Sequence, residues 1–189
     1  MKAVVLDRDG VINYDSENYI RTPEDWVPIE GSLRAIARLN QAGYLVAVAT
    51  NQSGLARGYF SEQTLGRIHQ KMTQKLASEG GWLDSIVWCH HHPDDGCGCR
   101  KPKPGLLERV LAEWKIKPSQ VSFVGDSLRD IQAAWSAGVK PVLVKTGNGV
   151  KTFSSHWERL QGVAVYDNLE DYVSDLLAMG GLEPPTSAL

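Results

Sequence analysis

Cysteine is scarce in this 189-residue chain, and the three it has, Cys89, Cys97 and Cys99, all fall within one short loop beside His90, His91 and His92. An odd number of cysteines crowded among histidines argues for metal binding over a disulfide framework. Long runs of Lys or Arg are missing and the formal net charge is −2. That argues against non-specific nucleic-acid binding, which needs clustered positive charge. No stretch approaches the roughly 20 apolar residues of a membrane span. The N-terminus enters a strand pattern without signal-peptide character, so a cytoplasmic protein is expected. Internal repeats and low-complexity segments are also lacking. What is there is the composition of a folded protein, 42% hydrophobic and 22% charged, long enough to bury a sizeable core. The expectation is a single domain over 1–189, monomeric, with a disordered tail at 180–189.

Strand and helix patterns alternate along the chain. Residues 3–6 (AVVL), 45–49 (LVAVA), 85–88 (SIVW), 121–124 (VSFV), 141–144 (PVLV) and about 163–165 read as short, nearly continuous apolar strands. Between them, helical stripes run over 33–41, from Ser61 to about Glu79, from Gly105 through Trp114, over 128–137 and over about 168–178. This order predicts an α/β fold, a Rossmann-like parallel sheet with helices on both faces. Ligands in such sheets bind beyond the carboxyl ends of the strands.

The polar residues with chemical potential cluster at those ends. Asp7-Arg8-Asp9-Gly10 follows the first strand, and a period of two sends Asp7 and Asp9 to one side. Such a pair can hold a divalent cation, or divide labour as nucleophile and acid. Thr50-Asn51 closes the second strand, and Gly125-Asp126-Ser127 closes the fourth. Asp126 alone reads better as a helix N-cap before Leu128, while within the set it reads as a metal ligand; Asp130 reads as a partner behind the ligands or a helix-surface charge. Lys101 and Lys103 follow the cysteine-rich loop, and either is a plausible solvated lysine. Within that loop, Cys89-x-His91 and Cys97-x-Cys99 offer three thiolates and one imidazole, a closed tetrahedral set for structural Zn²⁺ over 89–104. His90 and His92 stay open as alternatives for the nitrogen ligand.

Taken together, these residues resemble the haloacid dehalogenase (HAD) superfamily of phosphotransferases, whose pattern of DxD, Ser/Thr, Lys and GDxxxD is matched here by Asp7 to Asp9, Thr50, Lys101 and Gly125 to Asp130. The longer segments LDRDGVIN (6–13), TNQSGLARG (50–58), CHHHP (89–93), CGCRKPKPG (97–105) and GDSLRDIQAA (125–134) are similar to those of the heptose bisphosphate phosphatases within it. Histidinol-phosphate phosphatases share the metal loop. The usual lysine after GD is Ser127 here.

The resemblance implies that Asp7 is the nucleophile and forms an aspartyl-phosphate. Asp9 then serves as acid and later as base, and the closeness of two carboxylates favours one staying protonated. It also implies Mg²⁺ held by Asp7, the Asp9 carbonyl and Asp126, with Thr50, Asn51 and Lys101 around the transferring phosphoryl group. The short segments between motifs leave room for a minimal cap only. Specificity for a small phosphorylated sugar then falls to Asp15, Ser16, Glu17, Asn18, Gln52, Ser53, Arg57 and Arg100, with Arg57 or Arg100 anchoring the phosphate that stays behind. The expected reaction is removal of the C7 phosphate from a heptose 1,7-bisphosphate. Histidinol phosphate is the alternative substrate, and an uncharged Ser53 near Arg57 argues for the sugar. A zinc-ribbon-type binding module is the non-enzymatic alternative, which leaves the aligned carboxylates and lysine unexplained.

Overall fold

The computed structural model describes residues 2–180. The disordered tail expected at 180–189 therefore lies, from residue 181 on, outside the described residues. Six strands form one parallel sheet: β1 (Ala3–Leu6), β2 (Leu45–Asn51), β3 (Ser85–Cys89), β4 (Val121–Gly125), β5 (Lys140–Val144) and β6 (Ala164–Tyr166). Their order is β3-β2-β1-β4-β5-β6. β1 is thus central, flanked by β2 and β4, with Val5 opposite Ala47 on one side and Phe123 on the other. All four β1 residues are buried, which is why this strand carries no alternation of polar and apolar side chains.

Alternate strand residues serve two separate cores. Val4, Leu6, Val46, Val48, Val124 and Val142 face one way, packing with residues of α1 (Ser32–Gln41), α2 (Glu62–Ser78) and α6 (Leu169–Met179). Ala3, Val5, Ala47, Ala49 and Phe123 face the other way, toward α3 (Gly105–Trp114) and α4 (Leu128–Ala137). The helices therefore cover both faces, as the apolar strands require. Ser61 caps α2 by accepting a hydrogen bond from the Thr64 N–H at 3.1 Å, and Asn168 caps α6 through the Asp171 N–H at 2.8 Å.

One helix was not anticipated. α5 (Gly149–His156) is short, begins on glycine and carries Val150, Thr152 and two serines, residues of weak intrinsic helix preference. Thr152 is buried, and its hydroxyl donates to the Asp126 carbonyl at 2.8 Å, so tertiary contact holds this segment. The order of strands reverses at β1, with β2 on one side and β4 on the other. In a doubly wound sheet that point opens the crevice in which ligands bind.

Candidate active site

Asp7 leaves β1 while still on the ladder, its N–H donating to the Val124 carbonyl at 2.9 Å. Beside it, Lys101 is only 2% exposed. The Lys101 Nζ lies 2.9 Å from Asp7 Oδ1 and 2.8 Å from Asp130 Oδ1, and donates to the Ala49 carbonyl at 2.9 Å. Three acceptors match the three donors of an ammonium group. Burial alone would lower the Lys101 pKa, but Asp130 and Asp7 outweigh it and hold the ammonium above the ordinary lysine value. The backbone that delivers Lys101 is clamped by Asn51, whose side-chain oxygen accepts from the Lys101 N–H at 3.0 Å and whose amide donates to its carbonyl at 3.1 Å.

Asp130 sits behind this cluster rather than on the helix surface. Its Oδ2 accepts from the Asp126 N–H at 3.2 Å, the Ser127 N–H at 3.1 Å and the Ser127 hydroxyl at 2.8 Å. Ser127, not Asp126, is the N-cap of α4, so the Asp126 carboxylate is left for the site. Its Oδ2 accepts from the Asn148 N–H at 2.8 Å, and among the described residues no cationic side chain pairs with it. Burial first, then the charge of Asp130, push Asp126 up to about 7. Gly10 and Gly147 both have positive φ, and a Cβ at either would collide with Asp126 Oδ2, so only glycine lets the two loops close around this carboxylate. Asp7 is likewise raised well above the usual carboxylate range, by burial and by Asp130, against the opposing pull of Lys101.

Asp9 behaves differently. Arg8, which is fully buried, grips it with two bonds, Nε to Oδ1 at 2.8 Å and a terminal nitrogen to Oδ2 at 3.0 Å. Asn13 and Gln52 add bonds of 2.9 and 3.2 Å. Burial pushes Asp9 up, yet Arg8 and these donors outweigh it and hold the carboxyl below its ordinary range. Of the two neighbouring carboxyls it is therefore Asp7 that is raised, because Arg8 compensates its own neighbour Asp9. Arg8 in turn reaches His69 Nε2 at 3.3 Å. An arginine only donates, so that nitrogen accepts, and burial together with Arg8 lowers His69 to about 3.

A charge imbalance results. Asp7, Asp9, Asp126 and Asp130 face two cations, Arg8 and Lys101, leaving an excess of two negative charges. Oxygens of Asp7, Asp126 and Asp130 lie within 4.8 Å of one another. A hard oxygen set with that excess fits a divalent cation such as Mg²⁺.

The cysteine-rich loop forms a second cluster. The Cys89 and Cys97 sulfurs are 3.7 Å apart, as are those of Cys97 and Cys99, while His91 Nδ1 lies 3.5 Å from Cys89 and 3.3 Å from Cys99. These separations are far beyond an S–S bond of about 2.05 Å. A tetrahedron with Zn–S of about 2.3 Å and Zn–N of about 2.05 Å has edges of about 3.8 and 3.6 Å, so the donors fit a zinc-sized ion. Of the three candidate histidines only His91 joins the set: His90 stacks on it at 4.1 Å, and His92 accepts from the Asp94 N–H at 3.2 Å.

A family model described as HAD-hydrolase-like matches residues 98–172. The chain is 49% identical over 174 residues to the D-glycero-beta-D-manno-heptose-1,7-bisphosphate 7-phosphatase of Pseudomonas aeruginosa, covering 92% of this chain and 97% of that protein. It is 53% identical over 154 residues to the Bordetella bronchiseptica enzyme of the same name, covering 82% and 86%. The chain belongs to the heptose-1,7-bisphosphate 7-phosphatase family of HAD-like hydrolases. A crystal structure of a B. bronchiseptica D,D-heptose 1,7-bisphosphate phosphatase, complexed with magnesium and phosphate, superposes with a TM-score of 0.89 at 48% identity, covering 95% of this chain and 99% of that one. The binding-module alternative is thereby set aside; this is a phosphatase.

For a member of this family, the walls of the pocket decide what part of a sugar phosphate is read. Thr50, Asn51, Gln52, Ser53, Asp15, Ser16, Glu17 and Arg100 all line it, together with the carboxylates and Lys101. Thr50 Oγ1 accepts from the Gln52 amide at 3.0 Å, which links it to Asp9. Two of the expected substrate residues are not brought in. Arg57 is exposed in the turn after β2, its N–H bonded to the Ser53 carbonyl at 3.0 Å, and it does not line the pocket. Asn18 lies in a neighbouring depression, with its N–H tied to Ser16 Oγ and its carbonyl to Arg21.

Arg129 does line the pocket. It projects from the first turn of α4, and its charge contributes, after burial, to lowering the Arg100 pKa. One terminal nitrogen of Arg100 is buried with no hydrogen-bond partner. Two arginines, one with an unsatisfied donor, form an anion-binding wall. Sequence reading passed over Arg129 because position i+3 after Asp126 reads as a solvated helix residue; no signal short of the fold marks it. Tyr19, Ile20 and Asn148 also line the pocket without prior signal.

Proposed function

We propose that this phosphatase removes the C7 phosphate of D-glycero-D-manno-heptose 1,7-bisphosphate through an aspartyl-phosphate on Asp7. The carrying observation is the buried Asp7–Lys101–Asp130 cluster at the carboxyl ends of β1 and β4, beside an Asp126 that, among the described residues, no cationic side chain pairs with directly. The Arg8 N–H and Lys101 both bind Asp7 Oδ1, which leaves Oδ2 to attack phosphorus as the sugar oxygen departs. Thr50 and the Asn51 N–H take the equatorial oxygens, where charge builds, and the ammonium of Lys101, fixed against Asp7, offsets that charge.

Asp9 rests as a carboxylate, the state needed to deprotonate water and so hydrolyse the phosphoenzyme. An entering phosphate dianion adds negative charge beside it and raises its proton affinity, so that Asp9 takes up one proton from solvent, gives it to the leaving oxygen, and is again the carboxylate that deprotonates water. Asp7, Asp126 and the Asp9 carbonyl would hold Mg²⁺, which supplies charge neutralisation on the phosphoryl group when bound. Cys89, His91, Cys97 and Cys99 would hold a structural Zn²⁺, stiffening the segment that delivers Arg100 and Lys101. Arg100 and Arg129 anchor the 1-phosphate. Three thiols set for a metal ion rather than a disulfide support a reducing, cytoplasmic setting.

Histidinol phosphate is the competing substrate, and Asp15 and Glu17 do place carboxylates on the pocket wall. The paired arginines and the family still favour an anionic handle. The test is phosphate release from the heptose bisphosphate against histidinol phosphate with Mg²⁺ present, with phosphorus NMR to identify which ester is cut. Faster cleavage at C7 is expected; a preference for histidinol phosphate would overturn the substrate and leave the phosphatase mechanism standing.

A further inference from the structure

The loop after β1, residues 14–22, forms the pocket wall that carries Asp15, Ser16 and Glu17. It is held in an unusual way. Tyr19 has a φ of 66°, in the left-handed region where a bulky side chain rarely sits unless its surroundings enforce it. Its ring meets Tyr59 edge-on, with centroids 5.1 Å apart and planes at 63°. The Arg21 guanidinium then covers Tyr59, 4.1 Å from its centroid, and its Nε donates to the Asn18 carbonyl at 2.7 Å. Tyr59 belongs to the segment after β2, just beyond the TNQSGLARG stretch, and it touches none of the catalytic groups described above. At its other end the loop is tied by the Tyr14 N–H to the Val27 carbonyl at 3.0 Å and by the Asn148 amide to Asp15 at 3.4 Å, and Ile20 between the two ends is buried in the core.

We infer that Tyr59 is a positioning residue: packed edge-on against Tyr19 and capped by Arg21, it latches the 14–22 loop across the mouth of the pocket so that the loop reads the sugar. Both aromatic contacts are of kinds with favourable energies at exposed sites, and together they hold Tyr19 in its strained backbone state. With no separate cap over the pocket, a loop that must recognise hydroxyl groups gains from being fixed before substrate arrives. This inference rests on the sugar-bisphosphate reading above.

The test is Tyr59→Ala beside Tyr59→Phe. Tyr59 is 41% exposed, so neither change empties the core. Expected for Tyr59→Ala is a KM for the heptose bisphosphate about fivefold higher, with kcat and turnover of p-nitrophenyl phosphate, which has no sugar hydroxyls, unchanged. Limited trypsin cleavage after Arg21 should accelerate in the same variant, and Tyr59→Phe should restore both readouts. Unchanged trypsin cleavage would show that no latch exists. Faster cleavage with an unchanged KM, or an equal loss on both substrates, would show that the latch does not position the sugar. Should the wild-type enzyme not prefer the heptose bisphosphate, the substrate reading fails on its own, while the trypsin comparison still judges the latch.

Discussion

Replacing Lys101 with Met tests the centre of the site, because the two side chains are nearly isosteric and only the charge is lost. Lys101 is 2% exposed and stands 2.9 Å from Asp7 and 2.8 Å from Asp130. Removing it strands two buried carboxylates. Breaking a buried ion pair from one side costs about 3–5 kcal/mol, which for a chain of this size lowers Tm by about 6–20 °C. The loss should depend on pH in a definite direction. Asp7 already lies above its ordinary value, and without the opposing pull of the lysine it rises further above its unfolded one, so its contribution is favourable at low pH and is lost as pH rises through the folded value. The deficit relative to wild type should therefore be small near pH 4 and full near pH 8. Activity should fall by at least about 10²-fold, the usual cost of deleting one electrostatic contact to the transition state. The assay is urea unfolding at pH 4 and 8 in chelator, with turnover measured in Mg²⁺. A Lys101→Met protein as stable as wild type at pH 8 would refute the ion-pair reasoning.

Asp7→Asn should abolish turnover in a folded protein, since an amide forms no phosphoenzyme, while Asp9→Asn should lose about 10²–10⁴-fold; steady-state phosphate release and circular dichroism check both. Metal analysis should find about one zinc per chain, and Cys97→Ser or Cys99→Ser should lower stability, whereas added zinc should not replace Mg²⁺ in catalysis. Arg100→Ala and Arg129→Ala should each reduce kcat/KM for the bisphosphate about ten- to a hundred-fold more than for a monophosphate, and Arg57→Ala should spare both. In chelator the wild-type protein should lose stability as pH rises from 4 toward 7, because Asp126 is raised to about 7 and its charged form is disfavoured in the fold; Mg²⁺ should remove that loss, as read by thermal unfolding.

Much of this was legible in the chain itself. Among the described residues, the six strands and five of the six α-helices follow from apolar periodicity and end signals, and α4 begins and ends where its pattern does, at Leu128 and Ala137. α5 was missed because its stability comes from Thr152 reaching Asp126 rather than from local preference. Asp7, Lys101 and Asp126 were legible because each stands directly after a strand or metal-loop pattern. Arg129 and Tyr19 were not, since each looks like an ordinary surface residue until the loops are folded over the pocket.

The sequence by itself determined the parallel sheet, the set of residues at its carboxyl edge, and the composition of the Cys/His cluster, because each follows from spacing within one element or between an element and the turn after it. Only the tertiary structure decided which charge meets which. It set Arg8 on Asp9, so that the second aspartate rests ionised, and Lys101 between Asp7 and Asp130. It also chose His91 over its two neighbours and set Arg129 on the pocket wall. Those choices depend on directions and distances of a few ångströms between segments far apart in the chain. Pattern within a segment carries no information about them, while electrostatic energy in a buried site depends on them steeply.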